Sequence, residues 1–271
     1  MKISFSTLAC PLWTMPQIVK MAADAGYDGI EVRFVEGEDS LWKLAAFSGA
    51  GLNETKRALA DSGLKISCVD TSCRFHWPDA AERGRWIEEG VRMAALAVEL
   101  ESPGIRVFGD TIQPGADRKS TRMWVAEGIR ELAGRIGGVG VWLESHGDFS
   151  SATETAGILD ETGGKNTGVV WDPVNSFAEN GETPENQARV LGERVRHVHV
   201  KDMRRAGDAW RHVLTGEGEF PLDGLKRGLL ELRYDGFVSF EWEKKWHPEI
   251  EDATIALPHF VKWFRESWAH G

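Results

Sequence analysis

The sequence lacks both the cysteine pattern of a disulfide-bonded protein and the apolar runs of a membrane protein. Its 271 residues include three cysteines, Cys10, Cys68 and Cys73, an odd number without CxxC spacing. Such usage favours a reducing compartment over a disulfide framework. The N-terminal stretch MKISFSTLACPLW has no apolar region of signal-peptide length, and no run is long enough to span a bilayer. We therefore expect a cytoplasmic protein that does not enter membranes.

Positive charge is also scarce. The chain has 32 Lys and Arg against 42 Asp and Glu, which gives a formal net charge of -10. Binding to DNA or RNA depends on clustered Lys and Arg that neutralise phosphates, so a nucleic-acid partner is not expected. The motifs GxSxG, GxxxxGK[ST] and GxGxxG after a strand are absent as well. The common hydrolase, phosphate-loop and dinucleotide signals are therefore missing, and a small ligand is the better expectation.

Short apolar, β-branched segments recur along the whole chain. Eight of them are candidate strands, at residues 3–5, 30–34, 66–69, 105–108, 139–143, 168–171, 195–200 and 237–240. Segments with helical periodicity lie between most of them. Capping patterns predict helix starts at Thr14, Ser151 and Thr183, and Gly26 is a predicted helix end.

This alternation of strand and helix predicts an α/β fold. Eight strand and helix pairs in about 250 residues are typical of a (β/α)8 barrel, known as a TIM barrel. A doubly wound open sheet is the alternative. With 42% hydrophobic residues the chain is able to bury one large core, and no linker divides it. We expect residues 1–271 to form a single domain.

Polar residues follow the last four predicted strands. Glu144 and His146 end the fifth, Asp172 follows the sixth, His199 lies in the seventh, and Glu241 follows the eighth. In a barrel the carboxyl ends of the strands meet at one mouth, where the chemistry takes place.

Burying several such groups together is costly unless a cation offsets their repulsion. Glu144, Asp172, His199 and Glu241 offer three carboxylates and one imidazole, a donor set that suits one Mn²⁺ or Mg²⁺ ion, with Co²⁺ or Zn²⁺ as alternatives. Any one of these residues alone reads more simply as a salt-bridge partner at the barrel mouth. Their occurrence on consecutive strands favours the metal site.

Five motifs carry a resemblance to a known family. VWLESHGD, VVWDPVNSF, VRHVHVKD, LTGEGEFPL and YDGFVSFEWE, in this order, resemble the sugar phosphate isomerase/epimerase superfamily of xylose-isomerase-like TIM barrels. The resemblance implies that Glu144, Asp172, His199 and Glu241 bind one divalent metal and that Glu144 and Glu241 act as acid and base. Asn175 departs from the histidine that sugar-acting members often have at this position. A DNA-repair role like that of the endonuclease IV branch is disfavoured, because its additional His and Asp ligands have no counterparts here.

Other residues near the strand ends are candidates for substrate contact. His146 is either a proton-transfer group or a partner that orients a ligand. Lys201 is either an oxyanion-stabilising group or a salt-bridge partner of a carboxylate such as Asp172. Arg205 is a candidate for binding a hydroxyl, carboxylate or phosphate, and His76 and Trp13 are candidates for packing against a sugar.

These patterns predict a divalent-metal-dependent isomerase or epimerase of a small sugar or keto-sugar that works through an enediolate. A lyase or dehydratase that uses the same intermediate, with His146 as an extra acid or base, is the alternative. A third hypothesis is a non-catalytic barrel that serves as a binding subunit. The expected partner is a small carbohydrate, and a homo-oligomer is left open.

Overall fold

Eight parallel strands close into a barrel in the computed structural model, which describes residues 1–164 and 166–268. They are β1 (Lys2–Ser6), β2 (Gly29–Val32), β3 (Lys65–Arg74), β4 (Gly104–Phe108), β5 (Gly140–Glu144), β6 (Thr167–Trp171), β7 (Val195–Val200) and β10 (Phe237–Phe240). The first strand pairs with both β2 and β10, which closes the sheet. The predicted TIM barrel and its eight strands are confirmed, and the open-sheet alternative is excluded.

Helices cover the outside of the barrel. They are α1 (Met15–Ala25), α2 (Gly49–Asp61), α3 (Ala80–Glu99), α4 (Arg118–Arg135), α5 (Ala152–Thr162), α6 (Pro173–Asn180), α7 (Pro184–Leu191), α8 (Leu222–Glu231) and α9 (Ala253–Ser267). The three predicted helix starts are confirmed. At the first, the Gln17 side chain accepts the backbone N–H of Thr14 at 2.9 Å. The predicted stop at Gly26 adopts the left-handed conformation, with φ of 84°.

One element was not predicted from the sequence. Two antiparallel strands, β8 (Asp202–Ala206) and β9 (Ala209–Val213), form a hairpin outside the barrel between β7 and α8. Gly207, with φ of 65°, and Asp208 make its two-residue turn. Gly followed by Asp between strand residues is a known hairpin signal, but the flanking segments are too polar to read as strands.

The buried apolar residues form one main core and one smaller cluster. Large side chains such as Phe5, Trp171 and Phe240 are fully buried in the main apolar core, which contains residues of both the strands and the helices. A separate small cluster of Cys68, Trp142 and Val170 is also buried. Within the described ranges, no helix combines the length and apolar character needed to cross a membrane.

Candidate active site

The four predicted metal ligands lie together at the mouth of the barrel. Glu144 ends β5, Asp172 follows β6, His199 lies in β7, and Glu241 follows β10. These four strands are neighbours in the closed sheet. One ligand atom from each residue lies within 4.8 Å of the others, and all four residues are buried. We call these residues the carboxylate–histidine cluster.

The imidazole of His199 faces the three carboxylates. Its Nδ1 atom is 3.4 Å from Glu241 Oε1, 3.8 Å from Asp172 Oδ2 and 3.9 Å from Glu144 Oε1. Most of these separations are too long for hydrogen bonds, and in the described part of the chain neither ring nitrogen has a hydrogen-bond partner. Atoms spaced in this way are compatible with a shared cation at about 2.0–2.2 Å from each. The donor set and its spacing fit one divalent metal ion.

Helix α6 fixes the orientation of Asp172. The carboxylate caps this helix, and its Oδ1 accepts the backbone N–H groups of Val174 at 3.0 Å and Asn175 at 3.1 Å. Pro173, at the first position of the helix, has no N–H of its own to satisfy. Capping therefore uses one carboxylate oxygen and leaves Oδ2 directed toward the cluster. The Asn175 amide donates to the Ser145 carbonyl at 3.2 Å and lines the adjoining cavity.

Lys201 is buried among carboxylates. Its Nζ lies 2.6 Å from Asp172, 2.7 Å from Glu241 and 2.6 Å from Glu243. Although burial opposes the shift, Asp172 and Glu241 raise the pKa of Lys201 well above its ordinary value. In return, and again against the effect of burial, Lys201 lowers the pKa of Asp172. The salt bridge to Asp172, one of the two roles expected for this lysine, is present in the structure.

Glu31 connects two histidines beneath the cluster. Its Oε2 is hydrogen-bonded to His197 Nε2, and its Oε1 lies 3.2 Å from His199 Nε2. Burial opposes ionisation of Glu31, but His199 and His197 lower its pKa well below the usual value. The sequence analysis missed this residue, because Glu31 lies inside the predicted strand IEVRF and not after its carboxyl end. Only the period-two alternation of the strand could have placed it inside the barrel.

A cavity of about 310 Å³ adjoins the cluster. Five of the predicted site residues line it, namely Glu144, His146, Asn175, Lys201 and Glu241. Three arginines that the sequence analysis missed also line it, Arg33, Arg74 and Arg106. Arg106 forms a hydrogen-bonded ion pair with Glu144.

His146 lies at the rim of this cavity. Its Nδ1 is 3.4 Å from Asp110 Oδ1, and its ring packs against Phe108 with centroids 4.9 Å apart. Burial opposes protonation, but the contact with Asp110 and the charge of Glu144 raise the pKa of His146. The side chain is 41% exposed. It is therefore accessible to a molecule in the cavity.

Three predicted substrate contacts are not among the residues that line the cavity. Arg205 lies exposed on the β8–β9 hairpin, where its guanidinium group stacks 4.4 Å from the centre of the Trp210 ring. His76 is buried behind Asp110 and accepts the backbone N–H of Thr111 at 3.2 Å. Trp13 packs, partly buried, against the apolar core. Their positions give no support to a role in substrate binding.

Comparison with known proteins agrees with this geometry. The family model described as "Xylose isomerase-like TIM barrel" matches residues 19–265. The chain belongs to this family. The resemblance read from the five motifs is thereby confirmed.

Three similar proteins illustrate the range of these matches. Fructoselysine 3-epimerase of Escherichia coli O157:H7 is 37% identical over 51 residues, which are 19% of this chain and 18% of the relative. A probable 3-DHS dehydratase, AsbF of Bacillus anthracis, has a TM-score of 0.80 and 20% identity, with 97% of this chain and 98% of that chain covered. The IOLI protein, solved with a bound zinc atom, has a TM-score of 0.82 and 17% identity, with 98% and 97% covered. The structural matches show the shared fold.

Proposed function

We propose that the protein is a divalent-metal-dependent isomerase or epimerase of a small sugar or keto-sugar. The observation that carries this proposal is the arrangement of Glu144, Asp172, His199 and Glu241, whose ligand atoms converge within 4.8 Å beside an open cavity. A structural ion-pair network would have left His199 hydrogen-bonded. Here both of its ring nitrogens lack hydrogen-bond partners in the described part of the chain.

The donor set favours Mn²⁺ or Mg²⁺, with Co²⁺ or Zn²⁺ as alternatives, since three of the four ligands are carboxylates. The IOLI protein, which has the same fold, was solved with a bound zinc atom, and this supports the proposal of a divalent ion. Held by the cluster, the ion would supply Lewis acidity for adjacent hydroxyl and carbonyl oxygens of the substrate.

Glu144 and Glu241 are the proposed proton-transfer groups. Both line the cavity, and they belong to strands on opposite sides of the β6–β7 pair. One carboxylate removes the proton beside the carbonyl, and the other returns a proton to the resulting enediolate on the same or the opposite face. If the proton returns to the same carbon from the opposite face, the product is an epimer. If the proton returns to the neighbouring carbon, the product is an isomer.

Lys201 contacts one of these groups directly. Lys201 holds Asp172 and Glu241 through short ion pairs, and Asn175 presents its side chain at the cavity wall. Because all three contacts of Lys201 are carboxylates, its charge offsets their repulsion. We propose a positioning role for this lysine.

A lyase or dehydratase is the second candidate. His146, in contact with Asp110 and with a raised pKa, is an additional acid at the cavity rim. Such a group is able to protonate a leaving hydroxyl group, so that the enediolate expels water. The structural likeness to a probable 3-DHS dehydratase is consistent with this chemistry.

Proton exchange tests the proposal. The metal-loaded protein is incubated in deuterium oxide with a panel of ketoses, and deuterium at the carbon beside the carbonyl is measured by NMR. We expect exchange with at least one substrate and a product of unchanged mass apart from the label. Loss of water from the product would favour the dehydratase. No exchange and no new product with bound metal would contradict both candidates.

The cellular setting is also a proposal. All three cysteines are free and buried, which supports a reducing, cytoplasmic environment.

A further inference from the structure

The mouth of the barrel is divided into two chemically different sides. The carboxylate–histidine cluster occupies β5, β6, β7 and β10. Three of the four strands in the remaining arc carry an arginine in the strand or directly after it. Arg33 directly follows β2, Arg74 ends β3, and Arg106 lies in β4. We call these three residues the arginine side.

Several donors of the arginine side are unused. Arg33 is 4% exposed and Arg106 is 2% exposed, and both line the cavity. Within residues 1–164 and 166–268, Arg33 Nη1 and the Nε and Nη2 atoms of Arg106 have no hydrogen-bond acceptor. The nearest carboxylate oxygens lie 3.7 Å away, on Asp39, and 3.3 Å away, on Asp70. A buried charged donor without an acceptor is costly, so these groups are incompletely satisfied by the protein itself.

The arginines are held in place by their surroundings. The Ser72 hydroxyl accepts Arg33 Nη2 at 2.7 Å, and the Ser72 carbonyl accepts Arg74 Nε at 3.3 Å. The Phe108 ring lies against both other guanidinium groups, 3.9 Å from that of Arg106 and 5.9 Å from that of Arg74. The donors are therefore preorganised, which lowers the cost of binding an anion.

The charges on this side are close enough to repel one another. Burial, and next the nearby guanidinium of Arg106, lower the pKa of Arg33 to about 10. Lys201 differs, because its charge is matched by three carboxylates at 2.6–2.7 Å. Arg106 is also matched by carboxylates, because Glu144 accepts a hydrogen bond from its Nη1 and Asp70 Oδ2 lies 3.3 Å from its Nη2. Arg33 is less well matched, since its ion pair within the described residues is the 3.7 Å contact with Asp39.

We propose that the substrate carries an oxyanion, either a carboxylate or a phosphate, that binds to Arg33, Arg74 and Arg106. Its hydroxyl and carbonyl oxygens then face the carboxylate–histidine cluster across the cavity. Guanidinium groups suit this role, since their N–H groups form paired hydrogen bonds to carboxylate and phosphate oxygens. The inference rests on the proposed function, because it assigns the substrate class of the same site.

Binding of unreactive analogues tests the anion site separately from turnover. Isothermal titration of the Mn²⁺-loaded protein is carried out with D-gluconate, D-glucitol 6-phosphate and neutral D-glucitol. We expect at least one anion to bind about tenfold or more tightly than D-glucitol, the effect expected of hydrogen bonds to a charged group. The anion with the larger preference identifies carboxylate or phosphate. Equal binding of all three, or no binding of either anion, would overturn the proposal.

Two variants test whether the arginine side causes the tighter binding of anions. Arg33→Gln and Arg74→Gln are each expected to reduce it at least about tenfold, whereas Arg130→Gln, on the exposed face of α4, is expected to leave it unchanged. Arg33→Lys keeps the buried charge and loses the paired donors. This variant replaces Arg33→Gln in the test if Arg33→Gln fails to fold. An undiminished preference in Arg74→Gln and in the folded Arg33 variant would overturn the assignment.

The two proposals fail in different ways. Anion binding without deuterium exchange in any keto acid or keto-sugar phosphate would leave the arginine side established and contradict the proposed isomerase. Deuterium exchange in neutral ketoses without anion preference would support the isomerase and contradict the anion site.

Discussion

Glu31 Oε1 lies 3.2 Å from Nε2 of His199, while Nδ1 of the same ring faces the carboxylates of the cluster. Glu31 therefore lies next to the imidazole on the side opposite the cluster. A carboxylate behind a metal-bound histidine fixes the ring tautomer and raises the basicity of the ligand nitrogen. The pairing of Glu31 with His197 holds this carboxylate in place.

We predict that Glu31→Gln lowers the affinity for Mn²⁺ about 10- to 100-fold although no metal ligand is removed. Glutamine keeps the size of the side chain and an acceptor for His197, but it loses the charge. Titration of metal-stripped protein measures the change, and Glu127→Gln on the exposed face of α4 is the control. Equal affinities of Glu31→Gln and the control would rule out this role.

Substitution of the cluster residues is expected to remove the metal. Glu144→Ala, Asp172→Ala, His199→Ala and Glu241→Ala should each lower the bound metal from one ion per chain. They should also abolish the rise in melting temperature on metal addition, because a ligand that binds only the folded state stabilises it. Elemental analysis and melting curves with and without chelator measure both effects.

Glu243→Ala is the matched control for these variants. Glu243 is two residues beyond Glu241 and also contacts Lys201, but it lies outside the cluster. We expect this variant to keep its metal. Full metal occupancy in Glu144→Ala or His199→Ala would disprove the site. Loss of metal in Glu243→Ala would instead indicate that the ion lies near Glu243, His212 and His247, whose ligand atoms also approach within 4.8 Å.

The barrel and the cluster were predictable for the same physical reason. Parallel strands covered on both faces are apolar and β-branched, so each strand gives a distinct short segment. Residues at the carboxyl ends of such strands converge, so Glu144, Asp172, His199 and Glu241 could be grouped without knowledge of the register.

The arginine side was not predictable in this way. Arg33 shares the predicted strand IEVRF with Glu31, and Arg106 is the charged residue of the segment IRVF. The sequence alone does not show to which face of its strand each arginine side chain points. Their direction depends on register, and the β2–β3 and β3–β4 pairings both contain register shifts. The same limit applies to Arg205, because the hairpin that carries it away from the cavity is defined by pairing between two polar segments.

Removal of the Lys201 charge is expected to destabilise the metal-free protein. Lys201→Met leaves Asp172, Glu241 and Glu243 close together without their buried cation. Breaking a buried pair from one side typically costs about 3–5 kcal/mol of unfolding free energy. Urea denaturation in the presence of chelator measures this loss. Lys262→Met, which removes a 4.0 Å surface pair with Glu266, should cost less than about 1 kcal/mol. Similar losses in the two variants would show that Lys201 does not offset the repulsion.

Asp110 is expected to contribute a pH-dependent part of the stability. Burial opposes its ionisation, but the contact with His146 and the Arg74 guanidinium at 2.9 Å lower its pKa below 3.8. The unfolded chain therefore binds a proton at this group more readily than the folded protein. The contribution is complete above the unfolded-state pKa and is lost as the pH falls through the folded-state pKa.

We predict that Asp110→Asn lowers the melting temperature at about pH 6 and has a smaller effect at about pH 3. Melting curves across this range measure the difference from the wild type, with exposed Asp61→Asn as the control. A constant difference between Asp110→Asn and the wild type at every pH would mean that the Asp110 carboxylate is not preferentially stabilised in the folded state.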